Sequence, residues 1–142
     1  MLKKKILLGV TGSIAAYKAA ELIRLLRKNN FFVQVVLTKS AKQFVTPLTL
    51  QALSGNPVLE NMWDPTEGNG MEHINLARTA DLILIAPASG NFIAKLAHGL
   101  ADDLLTNLCL ARSCPLLVAP AMNVEMFNNT ATQRNIEIIK SD

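Results

Sequence analysis

Aromatic side chains fill only 5% of the positions, and cysteine and histidine occur twice each. Few aromatics against abundant Ala, Leu and Ile disfavour an aromatic-rich β-sandwich and favour helices laid on a buried sheet. Cys109 and Cys114 are too few for a disulfide framework and their spacing matches no strong metal pattern, so both are expected to be buried and reduced. No apolar run reaches the length of a membrane span. Lys3-Lys4-Lys5 followed by Ile6 to Val10 has the order of an export signal, yet its apolar part is too short and no cleavage-like site follows. A soluble cytoplasmic protein is expected. Positive charge is thin as well: a net +3 without a sustained basic face argues against nucleic acid as a partner. At 142 residues the chain is expected to form a single domain, residues 1–142.

What is present is alternation. Ile6 to Val10 is a continuous apolar strand of the kind covered on both faces. Ser13 can cap a helix in which Ala15, Ala19, Leu22, Ile23 and Leu26 recur at three- and four-residue steps, while Lys18, Glu21, Arg24 and Arg27 fall mainly elsewhere. Phe31 to Thr38 follows as a second strand, and Pro47 to Ser54 as a short helix broken by Gly55-Asn56-Pro57. Val58 to Met71, with Trp63-Asp64-Pro65 and Glu67-Gly68-Asn69-Gly70, has no period and receives no assignment. Helical spacing returns from His73 to Thr79. Asp81 to Ala86 reads as a strand, Asn91 to Leu100 and Asp103 to Ala111 as helices, and Pro115 to Ala119 as a last clear strand. The order predicts a three-layer α/β domain, a parallel sheet with helices on both faces and right-handed crossovers.

Open parallel sheets bind ligands beyond the carboxyl ends of their strands. Here those ends are Gly9-Val10-Thr11-Gly12-Ser13, Thr38-Lys39-Ser40, Pro87-Ala88-Ser89-Gly90-Asn91 and Pro120-Ala121-Met122-Asn123. Each supplies small residues, hydroxyls or an amide; one such turn is an ordinary helix cap, whereas four describe a ligand crevice. The ligand is narrowed by further absences. The first turn lacks Gly-x-Gly-x-x-Gly, no acid closes the second strand for a ribose, and no lysine-bearing phosphate loop is present. Hydroxyls, a cation and helix starts suit a phosphate monoester. The residues alone therefore point to a mononucleotide, with flavin mononucleotide (FMN) first.

No Ser-His-Asp signature, metal-ligand cluster or pair of catalytic carboxylates is visible, so chemistry would lean on a cofactor. His73 lies where the unassigned stretch meets a helix and reads equally well as a capping or surface histidine. His98 reads as solvated. Asn123 reads as a cap of the helix from Val124, and Asp102 and Asp103 as helix-start residues. Met122, Met126 and Phe127 read as core.

Taken together, Gly12-Ser13-Ile14-Ala15-Ala16-Tyr17-Lys18, His73 within MEHINLAR, PASGNFIAKLAHGLADDLLT and PAMNVEMF resemble the phosphopantothenoylcysteine decarboxylases, in particular the amino-terminal half of the bacterial bifunctional coenzyme A biosynthesis proteins. The likeness spans essentially the whole chain. It implies a flavodoxin-like or Rossmann-like fold and homo-oligomers built from trimers, up to a dodecamer. It implies that Gly12, Ser13 and Ile14, Thr38 and Ser40, Ser89, Gly90, Asn91 and Phe92, and Ala121 surround FMN. His73 matches the family's active-site histidine, and Asn123 the asparagine that holds the substrate carboxylate. The implied substrate is 4'-phospho-N-pantothenoylcysteine. Its cysteine end loses two electrons to the flavin and becomes a thioaldehyde, carbon dioxide leaves because the thiocarbonyl accepts the electrons, and the enethiol is reduced to 4'-phosphopantetheine. His73 is expected to act as base or proton-positioning group and Asn123 to orient the carboxylate.

Two departures stand out. The family's Pro-Ala-Ser-Ala-Asn-Thr has Gly90 and Phe92 here in place of the second Ala and the Thr. The substrate-covering flap and proton-donating cysteine of the family lie beyond the position of Asp142, and neither Cys109 nor Cys114 matches that motif, so a flavin-binding core with a poor reductive half-reaction is expected. Rival readings are a flavin prenyltransferase, which His73 and the PAMN stretch disfavour, and a non-enzymatic flavodoxin-like carrier or regulatory flavoprotein.

Overall fold

The structure is a computed structural model that describes residues 2–63 and 70–142. Asp64 to Asn69, within the stretch left without an assignment, lie outside the described residues. Four parallel strands, β1 (Lys5–Val10), β2 (Phe32–Leu37), β3 (Leu82–Ala88) and β4 (Leu116–Pro120), stand in the order β2-β1-β3-β4. Apart from Lys5 at the start of β1, the two central strands are apolar because both of their faces are covered. Pairing runs from Lys5 opposite Phe32 to Val10 opposite Leu37, and from Ile6 opposite Leu82 to Gly9 opposite Ile85.

On one face α1 (Lys18–Lys28) and α2 (Pro47–Ser54) bury Ala19, Ile23 and Leu50 against Ile6, Leu8, Val10, Val33, Val35 and Leu37. On the other face α3 (Gly70–Thr79), α4 (Gly90–His98) and α5 (Leu104–Ala111) set Ala77, Ile93, Leu105 and Leu108 against Leu7, Ile83 and Ile85, with Ile136 and Ile139 of α7 (Thr130–Ser141) alongside. Each fully buried Leu or Ile contributes about 1.5–3 kcal/mol. Gly9 belongs to this second face: a Cβ there would come within 2.6 Å of Leu105 Cδ2, so its bare backbone lets α5 seat directly on β1. Chain order and the two faces agree with right-handed crossovers that reverse direction between β1 and β3.

The expected α/β architecture is present, with several local differences. The helix after β1 opens as a 3-10 turn, Ile14–Tyr17, and Ser13 caps that turn by accepting the Ala15 N–H at 3.2 Å. Strand β3 continues through Pro87 and Ala88, past the expected end at Ala86, because Ala88 pairs with Pro120 after a register shift. Leu59 adds a short bridge at the outer edge of β2, exchanging main-chain bonds with Val35 and Leu37 at 3.0 and 2.9 Å. Helix α7, capped by Asn129, has no counterpart in the sequence-based assignment. Asp103 and Thr106 form a capping box at α5, worth about 1 kcal/mol, the helix-start role expected for Asp103, whereas Asp102 pairs with Lys95 of α4 at 3.1 Å.

Candidate functional site

Because the strands are parallel, all four carboxyl ends open at one rim. The turns there are linked one to the next in the order of the sheet. The Thr38 N–H donates to Val10 O at 3.1 Å, and Thr38 Oγ1 accepts the Ala41 N–H at 3.2 Å. Gly12 lies so close to the second turn that a Cβ would fall 2.5 Å from Ser40 Cβ. Thr11, only 1% exposed, donates its hydroxyl to Pro87 O at 2.6 Å and accepts the Ser89 N–H at 2.8 Å. Ala121 closes the series by donating its N–H to Ala88 O at 3.0 Å.

The third turn carries the open donors. Ser89 Oγ accepts the Phe92 N–H at 3.1 Å and Ser89 O accepts the Ile93 N–H at 2.9 Å. A helix leaves its first N–H groups without internal partners, so the Gly90 and Asn91 amides remain open at the positive end of α4. Asn91 is exposed. A Cβ on Gly90 would meet Met126 Cε at 3.5 Å and Met122 Sδ at 3.6 Å, ordinary contacts, so the alanine of the family motif fits this turn. Phe92 turns its ring into the core instead of the rim. Asn123 caps α6 (Val124–Asn128), its Oδ1 accepting the Met126 N–H at 2.9 Å. Its Nδ2 donates to nothing among the described residues.

The rim therefore gathers Gly12, Ser13, Thr38, Ser40, Ser89, Gly90, Asn91, Ala121 and Asn123, with Ile14 projecting outward at 76% exposure. His73 is placed differently. It sits near the start of α3 with 3% exposure, and neither ring nitrogen has a hydrogen-bond partner among the described residues. A buried imidazole without a partner is costly. It is therefore not a surface histidine. His98 is exposed, as expected. The expectation that Met122, Met126 and Phe127 belong to the core holds only for Met122, which packs against it; Met126 is 50% exposed and Phe127 40%. Helix α6 is only five residues long and buries none of them.

Sequence reasoning misses Thr11, although a threonine at the end of an apolar strand is plain to read. Its partners lie 76 and 78 positions away. Cys109 is buried and free, and burial pushes its thiol up to about 12. Cys114 is half-buried, with its thiol also raised, mainly by burial. Both stay protonated and are poor nucleophiles. Among the described residues no group of His, Cys, Asp or Glu could hold a metal ion.

Comparison with known proteins defines the class. The flavoprotein family profile matches residues 1–142, and the chain belongs to that family. A Streptococcus mutans protein named "Probable phosphopantothenoylcysteine decarboxylase" is 52% identical over 139 residues, covering 96% of this chain and 78% of the relative. The coenzyme A biosynthesis bifunctional protein CoaBC of Vibrio vulnificus is 56% identical over 133 residues, 94% of this chain. The chain spans about a third of the length of these bifunctional relatives, 33% in that case. Among solved structures, the FMN-dependent cysteine decarboxylase SpaF superposes with a TM-score of 0.91 at 35% identity, covering 98% of this chain and 80% of that one. A phosphopantothenoylcysteine decarboxylase mutant complexed with pantothenoylaminoethenethiol gives a TM-score of 0.82 at 35% identity, covering 99% and 79%. The residues present fit a flavin with a phosphate: Gly12 lets the first turn close directly on the second, and the start of α4 offers two amides without a partner among the described residues.

Proposed function

We propose that the chain is an FMN-dependent carbon–carbon lyase that decarboxylates 4'-phospho-N-pantothenoylcysteine to 4'-phosphopantetheine in coenzyme A biosynthesis. The observation that carries this reading is the continuous rim, in which Gly12, Thr38, Ser89 and Ala121 belong to turns packed or bonded one to the next. Residues 1–142 act as one FMN-binding unit. When bound, FMN supplies the oxidant for the cysteine end of the substrate and returns the electrons after carbon dioxide has left.

The chain's own residues bind, orient and move protons. The open amides of Gly90 and Asn91, with the Ser13, Thr38 and Ser40 hydroxyls, suit a flavin's polar edge and phosphate; a negative group at an exposed helix start gains about 0.3–1 kcal/mol. Exposed Ile14 offers apolar contact. Phe92 supports α4 from the core side. Asn123 keeps its carbonyl in the α6 cap and has its amide donors available for a carboxylate. His73, with both ring nitrogens free of partners among the described residues, can take up or position a substrate proton. A homo-oligomer, trimeric or dodecameric, completes the reading, because Ile14, Tyr17, Val124, Met126 and Phe127 expose apolar surface on rim elements. The expected compartment is the cytoplasm; no described helix is long and apolar enough to cross a membrane.

The test begins with the visible absorbance of the purified protein and mass identification of what heat releases. A flavin band, the mass of FMN, and carbon dioxide from added substrate are expected. Protein that stays colourless after incubation with FMN sinks the proposal. Flavin uptake without carbon dioxide release would favour the electron-carrier reading instead.

A further inference from the structure

We infer that Thr11 is a positioning residue that sets the third turn of the cofactor site; the inference rests on reading the rim as that site. Thr11 lies at the end of β1, one of two central strands, and Ser89 begins the turn after β3, the other. The crossovers reverse between these strands, so their chain ends diverge towards opposite faces. Side-chain bonds across this gap come from Thr11: its hydroxyl gives its proton to Pro87 O at 2.6 Å and takes the Ser89 N–H at 2.8 Å. The hydroxyl both donates and accepts here, and the residue is 1% exposed, so the link is shielded from bulk water. The Thr11 main-chain N–H reaches the same Pro87 carbonyl at 3.3 Å, a longer contact that survives loss of the side chain. The Ser89 amide has no such second bond.

The effect on the site is indirect and specific. With its amide committed to Thr11, Ser89 directs its Oγ to the Phe92 N–H. The donors left for a ligand are then the amides of Gly90 and Asn91, at a height fixed by β1 as well as β3. Without the hydroxyl, the Ser89 amide is freed, competes for ligand or water, and the start of α4 loses its tie to the first turn. Serine keeps the hydroxyl; valine keeps the shape and loses it.

The experiment compares wild type, Thr11→Val and Thr11→Ser as full chains. FMN affinity is read by fluorescence quenching, flavin environment by visible circular dichroism, folding by far-ultraviolet circular dichroism, and the Ser89 amide by hydrogen exchange in the apo protein. Expected are at least a tenfold loss of FMN affinity with an altered flavin spectrum in Thr11→Val, restoration to within about threefold in Thr11→Ser, and a protected Ser89 amide in wild type and Thr11→Ser. Thr11→Val that binds FMN like wild type overturns the positioning role. So does a rapidly exchanging Ser89 amide in wild type, a measurement that remains decisive if Thr11→Val does not fold. Wild type that takes up no FMN overturns the reading of the rim, and the positioning role falls with it.

Discussion

Replacing Gly12 by alanine tests the contact between the first two turns. The added Cβ would stand 2.5 Å from Ser40 Cβ and 3.3 Å from the Ser40 carbonyl carbon, about 1 Å short of the roughly 3.5 Å at which carbon atoms attract. Gly12 does not use the left-handed backbone region, where among the described glycines only Gly55 and Gly99 are found. Alanine is therefore opposed by crowding alone. Forcing an extra carbon into a close-packed position costs about 1–3 kcal/mol, and if that cost falls on the turn geometry needed for binding, FMN weakens by about 5- to 150-fold. Because Ser40 Cβ is the nearest atom, Gly12→Ala should cost little further affinity in a Ser40→Gly background, which itself lacks the Ser40 hydroxyl. Fluorescence titration of the four proteins gives a double-mutant cycle whose coupling should be favourable and exceed about 1 kcal/mol. Affinity unchanged in Gly12→Ala, or losses in the two single variants that simply add, would show that the turns part freely and that their contact has no bearing on the site.

Gly90→Ala should stabilise the fold by about 0.4–1 kcal/mol through the unfolded chain, since its Cβ meets only Met126 and Met122 at ordinary distances; a lower melting temperature refutes this. His73→Asn should retain FMN while slowing carbon dioxide release by at least about 100-fold, and near-normal turnover would remove His73 from the chemistry. Burial raises the Cys109 thiol from 9.0 to about 12, so the native state holds its proton where the unfolded state loses it. Stability from this group is complete below pH 9 and is lost as pH rises towards 12, with a limiting slope of about 1.4 kcal/mol per pH unit. Urea melts across that range should show a flatter dependence for Cys109→Ala; equal slopes would contradict the assignment.

Periodicity and turn chemistry make the sheet and its rim legible in the amino-acid order alone. Helix α2 is bounded correctly at Pro47 and Ser54 because Thr46, Pro47 and Gly55 act locally, as cap, first residue and left-handed terminator. What local patterns leave out depends on distant partners. Thr11 is indistinguishable from any strand-end threonine until Pro87 and Ser89 are brought beside it. The burial of His73 follows from how α3 packs on α5 and the sheet, which no local pattern encodes. Met126 and Phe127 look like core residues by composition, and only the shortness and outward placement of α6 shows otherwise. Strand β3 runs past Ala86 because a neighbour, β4, offers Pro120 as a pairing partner.

Beside its hydroxyls and the Asn123 amide, the rim offers the main-chain amides of Gly90 and Asn91, whose places are set by loop geometry. A one-residue insertion or deletion in any of the four turns would displace every amide downstream within that loop and misalign it with its neighbours. Lineages carrying this domain should therefore keep the lengths of these loops unchanged.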